Sequence, residues 1–342
     1  MIDGPISPYD LPPGPVQICF SGGRTSAFLL HEILSANGGL PADAEVIFTN
    51  TGAEHPATLD FVAEVSDRWS VPVTWLEYAV GANSGAPTFR KVDRATASED
   101  GQPFEDAVGK KQYLPNQAAR FCTIELKVRT AKRYLMQARG WTRWTSALGI
   151  RADEPKRLTK TAADAAGRIF ATHSKDRGLA WYPLAQAGIA RRDIDRFWRG
   201  QPFRLRLPSY KGKTPAGNCV GCFLKGEATL ATLWRDMPER MAWWRDMEAR
   251  AAARWDALPP EKRAGLIEKR IAADLASLRG AFPGGDIPGT VLDEIRTLAA
   301  RPPTFSKRYT QAAMADMVAR QGDWIFDLPG HLCQANDGEC TG

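Results

Sequence analysis

Apolar and polar positions along the chain follow two alternating rhythms. "VQICF" (Val16–Phe20), "EVIFT" (Glu45–Thr49) and Val73–Tyr78 are short apolar runs that predict buried strands. Between the first two, Phe28, Leu29, Leu30, Ile33 and Leu34 mark one face of a helix over Ser26–Asn37, stopped by Gly38-Gly39. A second helix is expected over Pro56–Trp69, with Pro56 in a first turn that needs no N–H. Strands and helices alternating at a spacing of about 30 residues predict βαβ units and a parallel sheet, hence an α/β, doubly wound fold.

Residues 81–118 are polar and lack a clear period, which predicts a long lid or binding loop. Glu125–Arg139 reads as a helix, Arg143–Gly149 as a strand, Ala180–Leu184 as extended, and Asp193–Arg199 as a short helix ending at Gly200. Past about residue 225 the period becomes helical throughout. Trp234, Met237, Met241 and Trp244 recur at three- and four-residue spacing, the signature of a core stripe. Further helices are expected over 259–279, 289–300 and 305–320. The organisation is therefore a leader (1–15), an α/β domain (16–225) and a helical C-terminal region (226–342) with a cysteine-containing tail.

Composition changes this picture little. The chain has 342 residues, 44% hydrophobic and 25% charged, which suits a globular protein with a sizeable core. No run approaches the length of a membrane span. The proline-rich acidic start "MIDGPISPYDLPPGP" lacks the basic and apolar regions of a secretory signal. A net charge of +6 favours anionic ligands weakly, since charges of both signs interleave through 235–300. Six cysteines on a long chain without a secretion signal favour metal or thiol chemistry over a disulfide framework. Cys19, inside an apolar run, reads as a buried strand residue.

The segment "FSGGRTSAF" (Phe20–Phe28) places a glycine pair and hydroxyls between a strand and a helix. Glycines let backbone N–H groups point inward, and the helix N-terminus adds its positive dipole end. Ser21, Thr25 and Ser26 add hydroxyls and Arg24 a charge. The arrangement suits a phosphate or pyrophosphate. It is neither G-x-x-x-x-G-K-[ST] nor G-x-G-x-x-G.

S-G-G-x-x-S after the first strand resembles the PP-loop of the adenine nucleotide α-hydrolase superfamily. "FTNTGAEHPATLDFV" (Phe48–Val62), "RFCTIELKVRTAKRYL" (Arg120–Leu135), "LGIRADEPKR" (Leu148–Arg157) and "YPLAQAGIARRDIDRFW" (Tyr182–Trp198) are similar to successive segments of its PAPS reductase family. The last carries Ala and Gly where an aromatic is common. The resemblance covers about residues 16–226, and none extends to the helical region. It implies a nucleotide at the C-terminal ends of the strands, in agreement with the switch-point rule. It assigns phosphate binding to Ser21, Gly22, Gly23, Thr25 and Ser26, with Arg24 alongside. Thr51, Gly52 and Glu54 would lie near the adenosine. Arg151 and Arg157 would neutralise phosphate or sulfate, and Lys127 would face the same cleft.

Cys219 and Cys222 form C-x-x-C, with Gly217 and Gly221 permitting a tight turn and Cys122 far upstream. Thiolates so spaced bind Zn²⁺ or an iron–sulfur cluster, or form a redox pair. Cluster-bearing members of the family pair Cys-Cys with a later C-x-x-C, whereas Phe121 precedes Cys122 here. Three ligands of a [4Fe–4S] cluster therefore remain. Cys333 or Cys340 is the expected fourth, or one iron stays open to carry sulfide. His331, beside Cys333, reads as a surface residue. Glu339-Cys340-Thr341 partly resembles the family's C-terminal E-C-G tail, which would make Cys340 a nucleophile toward a sulfonucleotide.

Two enzyme readings follow from the resemblance. One cleaves ATP, with Mg²⁺, between the α- and β-phosphates and passes sulfur from the cluster to tRNA, another nucleic acid or a small-molecule acceptor. The other reduces adenylyl sulfate or its 3′-phosphorylated form (PAPS), releasing sulfite at the expense of a thiol reductant. A third reading is a zinc-stapled nucleic-acid-binding module. An oxygen-sensitive cluster implies a cytoplasmic location. The helical region is expected to shape the acceptor site, cover the cluster or mediate assembly into a homo-oligomer.

Overall fold

The computed structural model describes residues 7–117, 119–173, 177–209, 214–278, 287–306 and 308–321. Its centre is a mixed eight-stranded sheet: β1 (Val16–Cys19), β2 (Ala44–Asn50), β3 (Val73–Val80), β4 (Pro87–Val92), β5 (Trp144–Ala147), β6 (Thr161–Ala163), β7 (Ile169–Ala171) and β8 (Gly178–Trp181). The spatial order is β4-β3-β2-β1-β5-β8-β7-β6. β3, β2, β1, β5 and β8 are parallel, with Ile18 opposite Val46 on one side and Ala147 on the other. Antiparallel strands finish both edges. The expected parallel sheet is thus the core of a larger mixed one.

The order turns back at β1. Helices α1 (Arg24–Asn37) and α2 (Pro56–Arg68) cover one face, with α6 (Arg191–Arg199). Ile18, Phe28, Leu29, Phe48, Val62 and Trp181 are buried between these helices and the sheet. On the opposite face lies a seven-residue π-helical turn, Thr123–Arg129, running into α4 (Thr130–Gln137). The expected single helix over Glu125–Arg139 is therefore two geometries. Buried Glu125 meets Lys111 at 2.8 Å, Arg129 at 2.5 Å and Arg133 at 3.3 Å, fastening the wider turn.

Residues 81–118 depart from the expected structureless loop. They hold β4 and α3 (Gln102–Lys111), which buries Phe104, Ala107 and Val108. The hairpin β6–β7 and the short α5 (Pro183–Gln186) were likewise not expected. Part of the leader is pinned: Asn37 Nδ2 donates to Tyr9 O at 3.0 Å, and Leu11 N donates to Asn37 Oδ1 at 3.2 Å.

The helical region comprises α7 (Glu227–Asp236), α8 (Pro238–Asp256), α9 (Pro260–Leu278), α10 (Gly289–Ala300) and α11 (Gln311–Gln321). The expected stripe of Trp234, Met237, Met241 and Trp244 is buried. It packs with Phe104, Phe121, Leu126, Val220 and Phe223 in one core. Most of those partners come from the α/β region, so the helices share a core with it. Among the described residues, no helix is long and apolar enough to cross a membrane.

Candidate functional site

The loop after β1 is shaped by Gly22. Its φ is +76°, and an added Cβ would stand 2.7 Å from Thr58 Cγ2 and 3.1 Å from Val62 Cγ2. Glycine is thus required both for the turn and for the approach of α2. Gly23 is the N-cap of α1 and supplies no side-chain cap. Ser26 takes over part of that role. Its Oγ donates to Gly23 O at 3.0 Å, accepts from Ser21 N at 3.2 Å and lies 3.0 Å from Ser21 Oγ. The loop after β5 rests against the same turn, Gly149 allowing its backbone within contact distance of Ser26.

This loop closes one end of a cavity of about 530 Å³, a size suited to a small-molecule ligand. Ser21 and Ser26 line that end with Gly149 and Arg157. The sheet supplies Gln17, Cys19, Thr49 and Ala180, and the π turn and α4 supply Thr123, Lys127, Val128 and Ala131. The cavity therefore straddles β1 and β5, where the strand order turns back.

Two of the expected arginines stand at the loop. Arg157 lines the cavity and contacts Glu154 at 3.4 Å. Arg151 reaches Thr25 Oγ1 at 3.4 Å and is ion-paired with Asp153 at 2.8 Å. Arg24 points elsewhere. Its guanidinium pairs with Asp195 on α6 at 2.9 Å, and its carbonyl accepts from Trp198 Nε1. Thr51, Gly52 and Glu54 also lie outside the cavity wall, which on that side is built by Ile47 and Thr49.

Thr51 and Glu54 instead meet the C-x-x-C loop. Glu54 Oε2 accepts from Thr51 N at 2.9 Å and from Thr51 Oγ1 at 2.7 Å. Thr51 Oγ1 lies 3.3 Å from Cys219 Sγ. Glu54 forms a single β-bridge with Cys219, and Val220 N donates to Ala53 O at 2.8 Å. Gly52 has φ +76°, and a Cβ there would press on Ser98, Pro103 and Gly101. From the other side, Lys225 Nζ donates to Pro215 O at 2.5 Å and Gly217 O at 2.7 Å. Gly221 admits the Trp244 ring, which would stand 2.3 Å from an added Cβ. The helical region thus backs the cysteine loop.

Cys122, Cys219 and Cys222 all act electrostatically on Lys127. Desolvation works against the charged Lys127 amine, but Cys219, Glu54, Cys222 and Cys122 outweigh it and hold the amine above its ordinary range. Burial pushes the Cys122 thiol up to about 11, helped by Cys222 and opposed by the Thr123 N–H and by Lys127. Burial and then Glu54 raise Cys219 well above the usual thiol range, against the pull of Lys127. Cys19 lines the cavity, and burial pushes it up to about 12. All four cysteines are free thiols. Among the described residues, no group of three or more His, Cys, Asp or Glu side chains is arranged to hold a metal ion. Thiolate sulfurs are soft donors of the kind that zinc and iron–sulfur clusters take. Cys333, Cys340 and His331 lie outside the described residues.

Gln17, Thr49 and Tyr182 in the cavity, and Lys225 beside the cysteine loop, were not expected to matter. Gln17 carried a signal, being a polar residue inside the apolar run of β1. Lys225 carried none, because a lysine after C-x-x-C reads as a surface charge.

A glycine-shaped loop between strand and helix at the switch point of a parallel sheet, beside a cavity of ligand size, is the arrangement of α/β proteins that bind nucleotides. Residues 15–187 match the family described as "Phosphoadenosine phosphosulfate reductase domain". The chain belongs to that family. It is 32% identical over 223 residues to the "Uncharacterized nin region protein ORF290" of Escherichia phage lambda, covering 64% of this chain and 69% of that protein. A phosphoadenylyl-sulfate (PAPS) reductase from Candida auris, solved as a phosphate complex, aligns at 15% identity with a TM-score of 0.35. That alignment covers 56% of this chain and 78% of the other.

Proposed function

We propose that the chain is an enzyme of nucleotide-dependent sulfur chemistry. In this reading it cleaves ATP between the α- and β-phosphates and delivers sulfur to the activated acceptor. The observation that carries it is the position of Lys127. This one side chain lines the nucleotide-sized cavity, while its charge is coupled to Cys219, Glu54, Cys222 and Cys122.

Ser21, Ser26 and the first turn of α1 hold the phosphate chain, with Mg²⁺ neutralising part of its charge. Arg157, and Arg151 over Thr25, stabilise the charge that builds as pyrophosphate leaves. An acceptor oxygen attacks the α-phosphorus, the bond to pyrophosphate breaks, and the acceptor carries AMP. Hydrosulfide from an external sulfide donor then attacks the acceptor carbon, the carbon–oxygen bond breaks, and AMP leaves as a carbon–sulfur bond forms. Lys127 bridges the two halves, holding charge toward the phosphates and toward the sulfurs.

A [4Fe–4S] cluster or Zn²⁺ is part of this proposal on the chemistry of the donor set. Cys122, Cys219 and Cys222 would hold it, with the fourth position taken by Cys333 or Cys340 or left open. A bound cluster would supply redox-active iron and labile sulfide. Iron and zinc analysis of anaerobically purified protein, with absorption near 400 nm, distinguishes these groups from a thiol-only site. tRNA, another nucleic acid or a small molecule is the proposed acceptor, and the helical C-terminal region the element that shapes access to it.

The matched family description favours a second reading, reduction of a sulfonucleotide. A thiolate would attack the sulfur, releasing the nucleotide and leaving a thiosulfonate that a second thiol reduces to free sulfite. Formation of AMP and pyrophosphate from ATP in the presence of Mg²⁺ supports the first reading. Sulfite from PAPS and a thiol, without ATP cleavage, supports the second and overturns the first.

A further inference from the structure

Positive charge is concentrated in one stretch of the chain. Residues 107–143 carry nine Lys and Arg and a single acid, Glu125, against a net charge of +6 for the whole protein. This stretch runs from the end of α3 through the π turn and α4. Its acid is buried and already meets Lys111, Arg129 and Arg133. Three cations around one carboxylate leave two positive charges there. Acids on the neighbouring strands are engaged in the same way, Glu45 by Arg139 and Glu77 by Arg90. Lys110 and Arg120 are exposed, and among the described residues no acid pairs with either. Lys91 on β4 joins this face, its Nζ lying 5.7 Å from the ring of Tyr134 on α4.

The same stretch exposes apolar surface. Six large hydrophobic side chains stand exposed among the described residues, and four of them are Tyr113, Ile124, Val128 and Met136. Ile124, Val128, Lys132 and Met136 recur every four residues, one line along the π turn and α4. Tyr113 is 41% exposed and packs edge-on against Phe121, just before the π turn. Val128 and Lys132 also line the nucleotide-sized cavity, so this face borders its mouth. The cavity lining includes Lys127, Lys132 and Arg157 and no acid.

Cations interspersed with separated aromatic and apolar side chains suit a polynucleotide, whose phosphates answer the cations and whose unpaired bases stack on flat side chains. An anionic membrane requires a continuous apolar face, and Lys132 interrupts this one. An acidic protein surface would answer the outer cations but leave those inside the cavity unmet. We infer that the π turn, α4 and the end of α3 form a docking face for a single-stranded or looped stretch of nucleic acid, presented to the cavity mouth as the sulfur acceptor. The acceptor role rests on the proposed ATP-dependent reaction, whereas the docking does not.

The experiment is fluorescence anisotropy of labelled single strands of RNA and of DNA, about 20 nucleotides long, with the full chain and without ATP, between about 50 and 200 mM salt. At least one of the two is expected to bind, more weakly as salt rises. Lys110→Gln combined with Arg120→Gln is expected to weaken that binding about tenfold. It should also flatten the plot of log affinity against log salt by about 1.4, two phosphate contacts at about 0.7 each. Tyr113→Ala is expected to cost about tenfold with the salt slope unchanged, as loss of one stacked base requires. Ile124→Ser is the second probe of the apolar line should loss of Tyr113 disturb Phe121. Charge variants that bind like wild type, or phosphatidylserine vesicles or polyglutamate bound as tightly as the strands, overturn the inference. Absence of strand binding while ATP still yields AMP and pyrophosphate overturns this inference alone. Strand binding together with sulfite release from PAPS, without ATP cleavage, overturns the proposed reaction and leaves the docking face standing.

Discussion

Thr51 Oγ1 touches Cys219 Sγ at 3.3 Å across 168 residues of sequence. The contact joins the turn after β2 to the C-x-x-C loop, and Glu54 locks it by accepting from both the Thr51 N–H and hydroxyl. The thiol therefore sits in a preset environment, with burial and then Glu54 raising its pKa and Lys127 lowering it.

Glu54→Gln is expected to lower the pKa of Cys219 and speed its alkylation at pH 8–9, about three- to tenfold for a shift of half a unit to one unit. Lys127→Met is expected to slow labelling of Cys122 by a similar factor, because Lys127 pulls that thiol downward. Mass-resolved alkylation as a function of pH reads both. Opposite signs would refute the arrangement.

Gly22→Ala places a Cβ at positive φ and 2.7 Å from Thr58 Cγ2. A loss of roughly 1–3 kcal/mol in stability is expected, with abolished ATP binding. Ser26→Ala keeps the turn and is expected to lose only ligand affinity, about tenfold. Denaturant unfolding paired with calorimetry separates the two effects.

Gly221→Ala drives a Cβ into the Trp244 ring. The expected result is a lower Tm and faster alkylation of Cys219 and Cys222, since α8 backs their loop. Adding Trp244→Leu should restore part of the Tm by relieving the overlap. Failure of that rescue would show that the helix does not hold the loop.

Burial pushes Glu248 up to about 7, although Gln311 N and Phe305 N both donate to it. The unfolded carboxyl titrates near 4.5. The folded state therefore holds the proton between about 4.5 and 7, and this group's contribution to stability falls as pH rises through that window. Above about 7 its cost is constant, of order 3 kcal/mol. Melting temperature is expected to fall from pH 5 to pH 7 more steeply in wild type than in Glu248→Gln.

Much of this was legible in residue order. Strand, SGGRTS and helix state a glycine-shaped strand–helix turn because the conformational demand there is local. The stripe from Trp234 to Trp244 states a core through its spacing. α3 was legible too: Pro103 opens it, and Phe104, Ala107, Val108 and Lys111 follow helical spacing, but the polar run on either side hid the period. The π turn was not legible, because Glu125 fixes it through Lys111 on another helix. The destination of Arg24 was not legible either, since Asp195 reaches it only after folding. The C-x-x-C spacing gave its two cysteines one loop, yet the electrostatic coupling of Cys122 and that loop to Lys127 is a tertiary result.

Joining of the nucleotide cavity to the thiol centre through Lys127 is tested most directly by alkylation rates at Cys122, Cys219 and Cys222 with and without saturating ATP. A nucleotide in the cavity is expected to slow labelling of these cysteines at least twofold in wild type and to have no effect in Ser26→Ala. Identical rates with and without bound ATP in wild type would contradict the account.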